Sequence, residues 1–169
     1  MTAYVALLRA VNVGGTGKLP MSDLMGLCQA AGFTGVRTYI ASGNVVLSSD
    51  LTEAQVKAAL EAQLQAYAGK PVGVVVRTGD EMAAALAANP FADAPGNRVT
   101  AIFLDHAAPP DALEHATGVA SEVMVLGKRE IYVRYDHGMA DSKLKIPAAK
   151  AGTARNMNTV AKLAQMAAG

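Results

Sequence analysis

The chain has 169 residues, 51% hydrophobic and 17% charged, far from the polar, highly charged compositions that remain disordered. That length suffices for one large or two small domains and should bury roughly two thirds of the unfolded surface. A net charge of +1 gives no whole-molecule field toward nucleic acid or anionic membranes, and the lone Cys28 excludes an internal disulfide and suits a reducing cytoplasm. No apolar run approaches the roughly 18 residues a spanning helix requires, so no membrane association is expected.

In chain order, residues 4–11 (YVALLRAV) form an apolar, partly β-branched run ending at a glycine cluster, the pattern of a buried strand. Pro20 opens a helix with Leu24, Leu27, Cys28 and Ala31 on one face, closed by Gly32. Residues 36–40 and 45–48 flank a small-residue turn and predict a hairpin. Thr52 and Gln55 predict a capping box for a second helix, ended by Gly69 and Pro71 before a strand at 72–77. The resulting order, β-α-β-β-α-β, is ferredoxin-like.

Thr78 and Glu81 predict another capping box, on an alanine-rich helix that Pro90 stops. The run NPFADAPGNR at 89–98 is the strongest break in composition and sets the expected boundary between an N-terminal lobe with its linker helix, 1–90, and a C-terminal lobe, 91–169. Beyond it come a strand at 99–105, a short helix at 110–117 and a hairpin of 122–126 with 130–135 turning at Gly127 and Lys128. A loop at 136–152 with one helical turn follows, then a terminal helix. The second half reads β-α-β-β-α, without a sixth element. The expected fold is α+β, two ferredoxin-like halves forming a two-lobed protein.

Two polar stretches stand out. Residues 12–18 (NVGGTGK) leave a strand and approach a helix, where backbone N–H groups and Lys18 suit an anion. The run fits neither the phosphate-binding P-loop nor the dinucleotide fingerprint, and by spacing alone a plain glycine turn is the favoured reading. In residues 153–162 (TARNMNTVAK), a helical reading puts Arg155, Asn158, Thr159 and Lys162 on one face, with Thr153 or Asn156 as N-cap. From Lys128 to Lys162, eight basic residues face three acidic ones, a basic region that suits a polyanion or only solubility. His106, His115 and His137 show no metal-ligand spacing, so no metal and no cofactor is expected. Ser42 lacks the pattern of a nucleophile elbow.

Three segments together, ALLRAVNVGGTGKLP at 6–20, VRTYIASGNVV at 36–46 and TARNMNTVAKL at 153–163, resemble the bacterial family called domain of unknown function 1697. The resemblance implies a two-lobed α+β fold and brings no catalytic residues or cofactor. Met157 stands where the family pattern carries an aromatic residue, usually tryptophan.

The expectation for function is a phosphate-bearing, nucleotide-like ligand between the lobes, lined by Arg9, Asn12, Gly14, Gly15, Lys18, Ser42, Asn44, Arg155, Asn156, Asn158 and Lys162. Two alternatives are nucleic-acid binding through the basic C-terminal region and a non-catalytic protein-interaction module. Whether the chain is an enzyme and how it oligomerises are open at this point.

Overall fold

The computed structural model describes residues 1–9 and 19–168. The chain divides into two compact units, one formed by Met1–Met82 with the C-terminal residues from Leu163, the other by Ala83–Lys162. No helix among the described residues is long and apolar enough to cross a membrane.

The first unit follows the expected order: β1 (Thr2–Leu8), α1 (Met21–Ala30), β2 (Thr34–Thr38), β3 (Asn44–Ser49), α2 (Glu53–Ala68) and β4 (Val74–Thr78). The antiparallel sheet has the order β2-β3-β1-β4. One face presents Tyr4, Ala6, Leu8, Val45, Leu47, Val74 and Val76 to Leu24 and Cys28 of α1 and to Val56, Leu60 and Leu64 of α2. Burying each such leucine contributes about 1.5–3 kcal/mol relative to exposure. Register places Val5 beside Val46 and Arg77, and Leu7 beside Asn44 and Val75, on the opposite face. These residues are buried too, which explains why β1 reads as a continuous apolar run rather than an alternating one.

The capping boxes predicted from sequence are formed. Thr52 Oγ1 accepts the Gln55 N–H at 3.2 Å, and Gln55 Oε1 accepts the Thr52 N–H at 3.0 Å. Glu81 and Thr78 reciprocate at 2.8 and 3.1 Å to start α3 (Gly79–Ala87). Gly69 ends α2 at φ 73°, a left-handed geometry that glycine adopts without the Cβ penalty.

The second unit contains β5 (Val99–Phe103), β6 (Val123–Leu126), β7 (Glu130–Arg134), β8 (Thr153–Asn156) and the start of α4 (Met157–Ala168). Its sheet, β6-β7-β5-β8, repeats the order of the first and is antiparallel throughout. Two expectations are corrected here. The short helix expected at 110–117 is one 3-10 turn, Ala112–His115, because Pro109 and Pro110 remove two backbone donors just upstream. The expected absence of a sixth element is also wrong: Thr153–Asn156 is an edge strand paired with β5, Arg155 opposite Ala101. Thr153 and Arg155 are buried while Ala154 is exposed, a two-residue period that excludes a helix. Arg155 therefore does not share a helical face with Asn158, Thr159 and Lys162.

Burial pushes the Cys28 thiol up to about 12 and, with the Glu130 charge as a smaller cause, the Tyr132 phenol up to about 12. Tyr132 also donates to the Ala85 carbonyl at 2.6 Å. Both groups keep their protons in the folded chain at pH values where the unfolded chain has lost them. Their contribution is therefore complete below pH 9 and is lost as pH rises toward about 12. Urea midpoints should fall steadily above about pH 9, and Cys28→Ser should flatten part of that decline. An alkaline limb of equal slope in Cys28→Ser would contradict this assignment.

Candidate functional site

The residues singled out in the sequence fall into three groups. Asn12, Gly14, Gly15 and Lys18 lie outside the described residues. Arg9, Ser42 and Asn44 come together at the carboxyl end of β1 in the first unit. Arg155, Asn156, Asn158 and Lys162 lie at the junction of β8 and α4 in the second unit.

At the end of β1, successive backbone groups bond to two different turns. The Leu8 N–H donates to the Gly43 carbonyl at 2.9 Å and the Arg9 N–H to the Gly73 carbonyl at 2.9 Å. The Arg9 side chain lies directly over Gly73: a Cβ there would stand 3.0 Å from Arg9 Cδ. The missing side chain at Gly73 thus makes the seat for the arginine stem.

The neighbouring turn is closed by the Tyr39 N–H donating to the Asn44 carbonyl at 3.0 Å. Asn44, fully buried, donates through Nδ2 to the Tyr39 carbonyl and to Ser42 Oγ, both at 2.9 Å. One side chain thereby ties the two ends of the turn and holds the exposed Ser42 hydroxyl. Within it, Ile40 has φ 50°, the one non-glycine residue at positive φ among those described, and Gly43 has φ 88°. A β-branched residue in the left-handed region is strained by roughly 1–2 kcal/mol, and such strain concentrates at binding and catalytic sites. Ile40 is also half exposed, so core packing does not account for its identity. Sequence reasoning passed over Ile40 and Gly73, because β propensity argues against the first conformation and the second contact is tertiary.

Replacing Ile40 by glycine should relieve the strain and stabilise the chain by up to about 1 kcal/mol, since the gain exceeds the extra unfolded-state entropy of glycine. Thermal melts check this directly; a lower melting temperature in Ile40→Gly would mean the side chain contributes more than its backbone costs.

At the second junction, Arg155 is buried, and its Nη1 donates to Thr153 Oγ1 at 2.7 Å and to the Ala154 carbonyl at 2.9 Å. Burial lowers its pKa to about 10, so the guanidinium remains charged at neutral pH. Asn156 Oδ1 accepts the Thr159 N–H at 2.9 Å and caps α4. Asn158 packs against Gly96, where a Cβ would stand 2.1 Å from Asn158 Oδ1. Lys162 is exposed, whereas Met157, at the position of the family's aromatic residue, is buried and serves as a packing residue. Asn156 thus has a structural role at the start of α4. Of the basic region, Arg134 is ion-paired with Asp136 at 2.8 Å and lies over the Phe91 ring, while Lys128, Lys143, Lys145 and Lys150 are exposed.

Fold and site together define an α+β protein with two like-ordered four-stranded sheets and a strained, asparagine-braced turn at the end of its first strand. The chain belongs to the family described as Protein of unknown function (DUF1697), whose model matches residues 1–132. Among solved structures it is similar to the conserved bacterial protein SP0830 from Streptococcus pneumoniae, with 25% identity over 100% of this chain and 99% of that one and a TM-score of 0.82. No curated protein matches.

Proposed function

We propose that the protein binds a phosphate-bearing small ligand, nucleotide-like in class, at the carboxyl end of β1. One observation carries the reading: at the end of β1, Arg9 is seated on Gly73 on the β4 side, the strained turn of Ile40, Ser42 and Asn44 closes on the β3 side, and the chain runs on from Arg9 into the sequence holding Gly14, Gly15 and Lys18. Arginine supplies a fixed fork of donors for phosphate oxygens, Ser42 a hydroxyl, and a glycine-rich segment the unhindered backbone N–H groups that anions favour.

Arg155, Asn158 and Lys162, in the second unit, are a separate set of donors, distinguished from the first by mutation. Thermal melts should be recorded with inorganic phosphate and with nucleoside mono-, di- and triphosphates. A ligand at 100 times its dissociation constant stabilises the native state by about 2.7 kcal/mol. The expected result is a shift for at least one nucleotide that Arg9→Ala removes and Lys162→Ala leaves in place. No shift with any of these compounds, or a shift indifferent to Arg9→Ala, contradicts the reading. Binding of oligonucleotides that collapses steeply with added salt would favour the basic region instead.

A further inference from the structure

The two sheets present their hairpin edges differently. In the first unit the edge strand β2 carries a register break between Thr34 and Arg37, and Gly35 there has φ 57°. Bulges and charges of this kind protect edges against pairing with other chains. In the second unit the edge strand β6 has none of these devices. Its register against β7 is continuous from Val123 to Leu126, its sequence is VMVL, and Val123 and Val125 are each 37% exposed.

The direction of its free backbone groups follows from the hairpin. The Gly127 N–H donates to the Glu130 carbonyl at 2.7 Å, so the residues bonded to β7 alternate back from there through Val125 and Val123. The N–H and C=O groups of Met124 and Leu126 point away from the sheet. Glu122 and Lys128, at the two ends of this stretch, have the same parity. Ala120 N–H and Ser142 Oγ–H donate to the Glu122 carboxylate at 3.0 and 3.2 Å; the Ala120 bond is the leading cause that lowers its pKa, and the group is ionised at neutral pH. Lys128 is exposed.

We infer that β6 is a self-complementary edge that pairs antiparallel with β6 of a second copy, joining two four-stranded sheets into one. In the register that centres on Val125, Met124 bonds to Leu126 of the second copy and Leu126 to its Met124, both through outward-pointing groups. That same register brings Glu122, just before β6, toward Lys128 of the second copy, in the turn just after it, and opposite charges on neighbouring strands attract. The two copies of Val125 meet on the two-fold axis. A one-residue slip turns the backbone donors away, and a two-residue slip separates the charges. Four residues make a small contact, so the dimer is expected to be weak and dependent on concentration.

Sedimentation equilibrium on the full chain across a concentration series tests this. Lys128→Glu and Glu122→Lys should each weaken self-association by about tenfold or more at low salt, since each homodimer then faces two like-charge pairs. An equimolar mixture should recover wild-type association, because in the mixed pair both contacts again oppose. Val125→Cys, oxidised, should give a disulfide-linked dimer, its Cα atoms about 4.5 Å apart in a non-hydrogen-bonded pair, whereas Val123→Cys should not. Cys28 is buried and does not compete. A wild-type chain that stays monomeric throughout, association unchanged in both charge variants, or equal cross-linking at 123 and 125 overturns the proposal. Circular dichroism of each variant guards against loss of fold, and Lys128→Glu, exposed in a turn, leaves the core untouched.

Discussion

Gly118→Ala is expected to destabilise the second unit by about 3 kcal/mol or more. Two costs combine at this position. Gly118 has φ 70°, where an alanine is strained by roughly 1–2 kcal/mol. Its Cβ would also stand 2.0 Å from the Lys143 carbonyl oxygen, a backbone atom that cannot swing aside as a side chain does. The flanking residues Thr117 and Lys145 exchange two backbone hydrogen bonds, both at 2.9 Å, so any movement that admits a methyl group breaks that bridge. Gly138→Ala separates the two costs. Gly138 has φ 83° with nothing near its Cβ, so its alanine should lose only the conformational share. Chemical denaturation of both variants, with amide exchange at Thr117 and Lys145, checks the difference. Equal destabilisation of the two would show that the close approach is not rigid.

Asn44→Ala should cost about 3 kcal/mol, the second large effect. Its amide donates to the Tyr39 carbonyl and to Ser42 Oγ, and truncation leaves the Tyr39 carbonyl to find a new partner beside a buried strand while the exposed Ser42 hydroxyl turns to water. A backbone or side-chain acceptor left unsatisfied in such a place costs about 1–3 kcal/mol. Ser42→Ala removes only the exposed end of the network and should cost less than about 1 kcal/mol. Denaturant titrations distinguish the two; a loss in Ser42→Ala as large as in Asn44→Ala would mean the hydroxyl, not the amide, braces the turn.

The first unit was legible in the sequence because its local signals agree with its packing. Thr52 with Gln55 and Thr78 with Glu81 are capping boxes in sequence and in space, and Leu24 and Cys28 point where helical spacing puts them. The duplication was legible only in outline. Thr153–Asn156 is a four-residue strand carrying an arginine on its buried side, and nothing in TARN distinguishes it from the first turn of the helix that follows. Strand β8 exists because β5 offers it an edge, a tertiary cause that local propensity does not contain. The candidate site divides the same way. Ser42 and Asn44 could be named from a polar turn between strands, whereas the seat of Arg9 on Gly73 joins residues far apart in sequence. Ile40 was invisible for the opposite reason: its residue type argues against the conformation it adopts.

The proposed anion site at the end of β1 is tested most directly by following backbone amides in a two-dimensional NMR titration with inorganic phosphate and then with the nucleotide giving the largest thermal shift. The amides of Arg9, Gly43 and Asn44 and of Gly73 should move together and saturate at a common ligand concentration. Shifts confined to the exposed Lys143, Lys145 and Lys150, with those four amides unmoved, would contradict it.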